Sequence, residues 1–125
     1  MQFQDPSTIY QQIADYGIDQ IVHSHWVPES RIPSVRKLAE EVGVNPNTVM
    51  RAYNFLQETG IIYNERGVGF FVAKDGPKEA ARLRRQAFIE QTLPELISTL
   101  DLLGISAEEL VEIINSFKNG QHENR

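Results

Sequence analysis

Two short apolar stripes separated by a glycine constrain this chain more than any other feature. The first stripe follows Pro33 and repeats at i, i+3, i+4 and i+7, the spacing of one buried helix face. The second has the same spacing and follows Asn45 and Pro46, a favoured N-cap and first helical residue. Gly43 lies between the stripes and suits the left-handed residue that ends a helix. Two short helices joined by a tight turn predict a helix-turn-helix. Its expected core residues are Val35, Leu38, Ala39, Val42, Val49, Ala52, Tyr53 and Leu56.

A longer helix is predicted before this pair, and a hairpin after it. The first helix should run from Pro6 to about His23, with Asp5 as its cap and Trp26 packed beneath it. After Gly60, β-branched and aromatic runs replace the helical period and flank a turn that contains two glycines. This pattern predicts a two-stranded wing. The two runs are Ile61–Tyr63 and Phe70–Val72.

The last third of the chain returns to a helical period. Its apolar residues recur at alternating spacings of four and three, which is typical of a coiled-coil seam rather than a wide core face. Pro94 should kink or split this helix, because proline lacks the N–H that the preceding turn would bond. A final helix should begin behind Ser106, which has Glu109 three residues later as a capping box. The expected seam residues are Ile89, Leu93, Leu96, Leu100 and Leu103.

The expected fold is therefore mainly α with a small β-hairpin. It consists of a winged helix-turn-helix domain over residues 1–76, a short α-helical dimerisation segment over 77–118 and a flexible tail over 119–125. The part that follows Gly76 is short for a module with a core of its own, so its seam is expected to pack against a second chain. The alternative is that residues 89–103 pack back onto their own domain.

Composition excludes several function classes. The 125 residues include no cysteine, so disulfides, thiolate metal sites and cysteine nucleophiles are excluded. There is no long apolar run and no secretory pattern at the N-terminus, so a cytoplasmic protein is expected. The sequence contains no motif that pairs a nucleophile with a general base, so we expect neither an enzyme nor a cofactor. His23 and His25 lack the spacing that places two metal ligands on one helix face, so no metal site is expected either.

The formal net charge of −5 argues, by itself, against nucleic acid as a partner. The second helix of the pair is an exception, because residues 42–57 contain no Asp or Glu. Carboxylates beside phosphates weaken DNA binding, so their absence favours a surface for DNA. Four cations can gather next to that helix: Arg31, Arg36, Lys37 and Arg66.

Three side chains near the start of this helix are expected to meet the major groove, which admits an α-helix. Asn47 and Arg51 lie off the apolar stripe and can form bidentate hydrogen bonds to adenine and guanine edges. Thr48 can bond a phosphate or contact a thymine methyl group. These residue types in this position predict sequence-specific recognition of double-stranded DNA.

Further candidates flank the helix. Arg36 and Lys37 begin the preceding helix, where the helix N-terminus also favours phosphate. Arg66 and Gly67 form the wing tip and suit a minor groove or a phosphate. A basic run after the linker is either a solvated helix face or a contact with the DNA backbone or a partner's wing: Arg82, Arg84 and Arg85.

Residues 9–72 resemble the winged helix-turn-helix of the GntR family of bacterial transcription regulators. The motifs that carry the resemblance are IPSVRKLA (32–39), GVNPNTV (43–49), GII (60–62) and RGVGFFV (66–72). The NPNTV stretch and the short C-terminal part resemble the YtrA-like branch of that family. The resemblance implies a transcription regulator, most simply a repressor, that binds a palindromic operator as a homodimer.

The chain departs from the family pattern at three places, one of which is the stretch SHW (24–26), where the family has a glycine after the first helix. Pro46 and Met50 stand where many members have arginines that read DNA, so the resemblance implies contacts only at matching positions. Larger relatives carry an effector domain after the wing. Here a small-molecule effector is possible, but no residues mark its site. The alternative function is a winged helix that serves as a protein–protein interaction module, which an acidic surface would favour.

Overall fold

A computed structural model describes residues 6–120. The chain divides into two compact units, one ending at Arg85 and the other beginning at Gln86. The expected mainly α-helical fold with a small hairpin is confirmed. The expected cap at Asp5 and residues 121–125 of the expected tail lie outside the described residues. The elements are α1 (Pro6–Val22), α2 (Val35–Val42), α3 (Pro46–Glu58), β1 (Ile62–Glu65), β2 (Gly69–Val72), α4 (Gly76–Ala87), a π-helical turn (Phe88–Thr92), α5 (Leu93–Leu103) and α6 (Ala107–Lys118).

The two helices of the helix-turn-helix have the capping residues that the sequence predicts. Oγ of Ser34 accepts a hydrogen bond from the N–H of Lys37 at 3.1 Å, and Oδ1 of Asn45 accepts one from the N–H of Asn47 at 2.7 Å. Gly43 ends α2 with φ at 73°, which a glycine adopts without the clash that a Cβ would cause. Since each helix start and the turn are satisfied locally, α3 begins almost directly after α2.

The core of the first unit lies between α1, α2, α3 and the hairpin. All four apolar positions expected in α3 are buried. In α2, Leu38 and Ala39 are buried, but the expectation for Val42 is wrong because this last helical residue is 36% exposed. On α1, Tyr16 is 37% exposed and meets Trp26 edge-to-face with ring centroids 6.0 Å apart. The remaining core residues are Ile13, Ala14, Ile18, Ile21, Ile32, Ile61, Ile62, Val72 and Ala80.

Gly17 allows α1 to pack closely on α3. A Cβ added at this position would lie 3.1 Å from Cδ1 of Leu56 and 3.4 Å from Cζ3 of Trp26. Trp26 is half-buried and packs against the core, as expected from the sequence. A glycine lowers the stability of a helix, but here the missing side chain allows α1 and α3 to pack tightly where they cross.

Tyr53 joins three parts of the first unit. Its hydroxyl donates a hydrogen bond to the carbonyl of Pro33 at 2.7 Å, just before α2. Its ring meets Phe70 of β2 edge-to-face, with centroids 5.0 Å apart. Burial raises the pKa of Tyr53, so the hydroxyl stays a donor. This residue therefore fixes α3 against both the start of the helix pair and the wing.

The wing is an antiparallel pair in which Ile62 faces Val72 and Glu65 faces Gly69. The strands differ slightly from the expected runs. The N–H of Ile61 bonds the carbonyl of Leu56 at 2.9 Å as α3 ends, so β1 begins at the next residue. Pairing then continues to Glu65, closer to the turn than the β-branched residues alone predict.

Helix α4 extends the first unit beyond the hairpin. Ala80 is fully buried, and the guanidinium of Arg84 bonds the carboxylate of Asp19 at 2.6 Å and the carbonyl of Asp15 at 3.1 Å. Burial raises the pKa of Asp15 and the charge of Asp19 raises it too, while Arg84 acts in the opposite direction. The compact unit thus continues past Gly76, and a functional boundary at that residue stays a prediction.

Candidate nucleic-acid interface

The outward face of α3 presents hydrogen-bonding side chains close to the start of the helix. Asn47, Arg51 and Asn54 are exposed, while Thr48 and Met50 are half-buried. They lie on the side opposite the buried stripe because both sets follow the helical period. Within residues 6–120 the side chain of Asn47 makes no hydrogen bond, so both its donor and acceptor groups are available to a base edge.

Arg51 is held by a residue that the sequence did not single out. Its Cζ atom lies 4.1 Å from the centroid of the Tyr10 ring, over the ring face. Tyr10 is in α1 and packs against the edge of the core. This cation–π contact is a tertiary contact between distant parts of the chain, so no local spacing could have predicted it.

The first turn of α2 carries the next two candidates. Arg36 and Lys37 are both exposed directly after the Ser34 cap. The first turn of this helix contains no acidic residue. The helix N-terminus and the two cations therefore attract an anion together.

The wing tip carries the last two. Arg66 and Gly67 are exposed in the turn between the strands, where the N–H of Val68 bonds the carbonyl of Glu65 at 2.8 Å. Gly67 has φ at 77°. The hairpin thus projects one cation at its end, as the sequence predicts.

Arg31 extends the basic surface along the wing. It pairs with Phe71 as an isolated bridge, so the segment before α2 lines the outer edge of β2. A Cβ added at Gly69 would lie 2.8 Å from Nε of Arg31, so the guanidinium occupies the space that this glycine leaves open. From the sequence, Arg31 is expected near α3, but this contact with the wing is not predicted.

In the described part of the first unit, only some of the basic side chains are paired with carboxylates. Among residues 6–120, the ion pairs join Arg82 to Glu79 at 2.9 Å and Arg84 to Asp19 at 2.6 Å, and both involve α4. Of the basic run after the hairpin, Arg84 is therefore a link between α4 and α1, Arg82 is paired within its own helix, and Arg85 is exposed. Four candidate cations have no carboxylate partner in the described part of the chain: Arg36, Lys37, Arg51 and Arg66.

The second unit has a different character. Pro94 breaks the helix as expected, and the break takes the form of a π-helical turn in which the N–H of Leu93 bonds the carbonyl of Phe88. Ser106 caps α6 by accepting a hydrogen bond from the N–H of Glu109 at 3.0 Å. Within residues 86–120, no side chain is buried, and Leu102 is 85% exposed.

The five expected seam residues lie along this uncovered surface. Ile89 lies in the π-helical turn, 45% exposed, and the other four lie on α5. Leu93 and Leu100 are half-buried, whereas Leu96 and Leu103 are exposed. The seam therefore has apolar area available to a partner, and its role in dimerisation stays a prediction.

Other site types find little support in the residues described. No group of three or more potential metal ligands occurs among residues 6–120, and the rings of His23 and His25 stack at 6.1 Å on the surface. No helix of this part of the chain has the length and apolar character needed to cross a membrane.

A helix-turn-helix followed by a two-stranded hairpin, with an exposed polar face on its second helix, is the arrangement of the winged-helix class of proteins. A family model described as bacterial regulatory proteins of the gntR family matches residues 9–72. The chain belongs to this GntR family. Its members are transcriptional regulators, and their helix-turn-helix domain binds DNA.

The similarity to individual proteins extends over most of the chain. The uncharacterised HTH-type transcriptional regulator YhcF of Bacillus subtilis is 34% identical, over 95% of this chain and 97% of that protein. The HTH-type transcriptional repressor YtrA of the same organism is 33% identical, over 85% and 81%. A crystal structure of a GntR-family regulator from Bacteroides thetaiotaomicron has a TM-score of 0.75 at 40% identity and covers 91% of this chain and 99% of its own.

A further structure shows a related domain with DNA. It contains the DNA-binding domain of AraR in complex with operator ORR3. Its TM-score is 0.51 at 29% identity, and the match covers 52% of this chain and 78% of that one.

Proposed function

We propose that this protein is a transcriptional repressor that binds a palindromic operator as a homodimer. The single observation that carries the proposal is the α3 face, where Asn47 and Arg51 are exposed in a stretch without carboxylates. In this arrangement α3 enters the major groove and the wing lies on the adjacent backbone or minor groove. A regulator of chromosomal DNA in a bacterium acts in the cytoplasm.

Each candidate residue has a chemically distinct role in the proposal. Asn47 and Arg51 read adenine and guanine edges through bidentate hydrogen bonds, and Thr48 bonds a phosphate or contacts a thymine methyl group. The cations outside α3 set the position on the backbone, since phosphate contacts fix register without carrying sequence information. These positioning residues are Arg36, Lys37, Arg66 and, through its wing turn, Gly67.

The homodimer is supported by the second unit. Its helices carry exposed leucines on the expected seam, and no residue of 86–120 is buried. Burying such a surface against a second copy yields about 25 cal/mol for each square ångström of apolar area removed from water. A two-fold dimer also presents two α3 helices to two half-sites, which accounts for a palindromic operator.

The proposed repressor function is supported by similarity to known proteins. YtrA is a repressor, and it is similar to this chain across both units. The AraR domain, which is similar over 52% of this chain, is bound to operator DNA in its crystal structure. The same kind of binding, placed over a promoter, would block transcription.

The test is a titration of DNA as a function of salt. Genomic fragments retained by the purified protein supply the duplex, and its affinity is then measured by fluorescence anisotropy at several salt concentrations. The logarithm of affinity should fall with the logarithm of salt, with a slope of about −0.9 for each phosphate contact. Flat or absent binding would instead support a protein–protein interaction module.

Arg51→Ala tests base reading within the same assay. We expect it to weaken binding to the retained duplex by about 1–3 kcal/mol and to relax the preference at one base pair of each half-site. Lys118→Ala is the matched control, because it removes one exposed cation from α6 and leaves the α3 face intact. An operator preference unchanged by Arg51→Ala would show that this residue reads no base.

A further inference from the structure

The contact between Tyr10 and Arg51 joins α1 to α3. Arg51 extends from α3, and its Cζ atom lies 4.1 Å from the centroid of the Tyr10 ring in α1. In the described residues Arg51 makes no hydrogen bond or ion pair, so this ring is its described partner. The position of the guanidinium therefore depends on a residue outside the helix-turn-helix.

Tyr10 is half-buried at the edge of the first unit's core. Tyr10 packs on the edge of the core, and it lines one crevice with Ala14 of α1 and Phe55 of α3. Phe55 follows Arg51 by one helical turn, so the residue that bears the cation and a residue that borders the ring belong to the same helix face. Tyr10 is therefore half-buried beside residues of both α1 and α3 rather than free on the surface.

A neutral ring is a suitable support for a cation that must later bind DNA. A carboxylate partner would compensate the charge of Arg51 and would have to be displaced, whereas an aromatic face attracts the guanidinium and leaves its charge uncompensated. Arginine loses much rotamer freedom when it is fixed at an interface. A side chain that is already held near one position loses less conformational entropy on binding. This smaller loss favours the base whose edge can be reached from that position.

We propose that Tyr10 is a specificity-determining positioning residue: its ring holds the Arg51 guanidinium in place for a base edge. The proposal rests on the DNA-reading role of Arg51 in the proposed function and adds a residue of α1 to it. Removing the ring should therefore affect one base pair of each half-site and leave the phosphate contacts as they are. Discrimination at that base pair should fall, while the salt slope should not.

The experiment compares variants at both positions on selected DNA. The probe is a random-sequence duplex library, from which the wild-type protein selects its preferred site. Affinity is then measured for the selected duplex and for duplexes with single base-pair changes, at several salt concentrations. The variants are Tyr10→Leu, which removes the ring; Tyr10→Phe, which keeps it; Arg51→Ala; and the double variant Tyr10→Leu with Arg51→Ala. If Tyr10→Leu does not fold, Tyr10→Met supplies the same loss of the ring.

We expect Tyr10→Leu to lower discrimination by about 3- to 10-fold at the base pair whose preference Arg51→Ala removes. Tyr10→Phe should retain the wild-type preference, and Tyr10→Leu should add nothing in the Arg51→Ala background. A loss shared by all base pairs, or a changed salt slope, would indicate a merely structural or phosphate-binding role and would overturn the proposal.

Two further results separate this proposal from the function on which it rests. If Arg51→Ala loses a base preference and Tyr10→Leu keeps it, positioning by Tyr10 is refuted while DNA recognition stands. If the wild-type protein selects no duplex from the library, the proposed function itself fails and the positioning role fails with it.

Discussion

The two units of this chain bury their apolar residues to very different extents. The first unit encloses a contiguous core in which Leu38, Val49 and Leu56 have no exposed surface. In the second, residues 86–120 contain no buried side chain, although α5 and α6 are as regular as the helices of the first unit. Local signals such as caps and glycine ends are enough to specify helices, whereas a core requires facing elements. The first unit has those elements within one chain, and in the proposed homodimer a second copy would supply them to the second unit.

The largest expected effect tests whether the second unit binds a second copy of the chain. Leu96→Asp should convert dimers into monomers, because a two-fold interface would bury one uncompensated carboxylate from each chain. We expect self-association to weaken by about a thousandfold or more. Sedimentation velocity measures it, with Ser98→Asp as the matched control, since Ser98 is exposed on α5 on the side opposite Leu96. A Leu96→Asp protein that still sediments as a dimer would place the interface elsewhere.

A core truncation in the first unit should have the next largest effect. Leu56→Ala removes a fully buried side chain that packs beneath Gly17, and should lower the free energy of unfolding by about 2–5 kcal/mol. Leu102→Ala is the comparison in the second unit, where the side chain is 85% exposed and the expected change is below about 0.5 kcal/mol. Urea unfolding in the Leu96→Asp background compares both substitutions in monomers. Equal effects at the two positions would contradict the contrast between the units.

The sequence predicts most of the first unit because its signals are local. Ser34, Gly43 and Asn45 act on residues next to them, so the helix pair follows from short-range chemistry. The same holds for Ser106 in the second unit. The predicted burial of individual residues is wrong where it depends on tertiary packing. Val42 fits the apolar period of α2 but lies at the helix end, where the neighbouring elements leave it partly exposed.

The candidate site shows the same limit. Exposure of Asn47 and Arg51 follows from the helical period and was predictable. The ring of Tyr10 beside Arg51, and Arg31 in the space left at Gly69, depend on how distant segments pack. No spacing rule connects those residues, because their contacts are set by the fold as a whole. The net charge of −5 was likewise uninformative, because it sums over the whole surface, whereas residues 42–57, which include all of α3 except Glu58, contain no carboxylate.

The smallest expected effect concerns the junction between α1 and α4. Burial and the charge of Asp19 raise the pKa of Asp15, so the ionised carboxylate destabilises the first unit at neutral pH. Asp15→Asn removes that carboxylate and keeps the backbone carbonyl that accepts from Arg84. We expect the free energy of unfolding to rise by less than about 1 kcal/mol, since the position is partly solvated.

The pH dependence of this effect has a defined sign. Because the pKa in the folded protein lies above its ordinary value of 3.8, the wild-type protein loses its disadvantage as the pH falls through the raised pKa. The variant should therefore be more stable at neutral pH and equal to wild type below about pH 3.8. Urea unfolding across this range measures the difference, with Asp101→Asn on α5 as the control that removes an exposed carboxylate. An advantage that persists unchanged in acid would show that Asp15 acts through packing rather than charge.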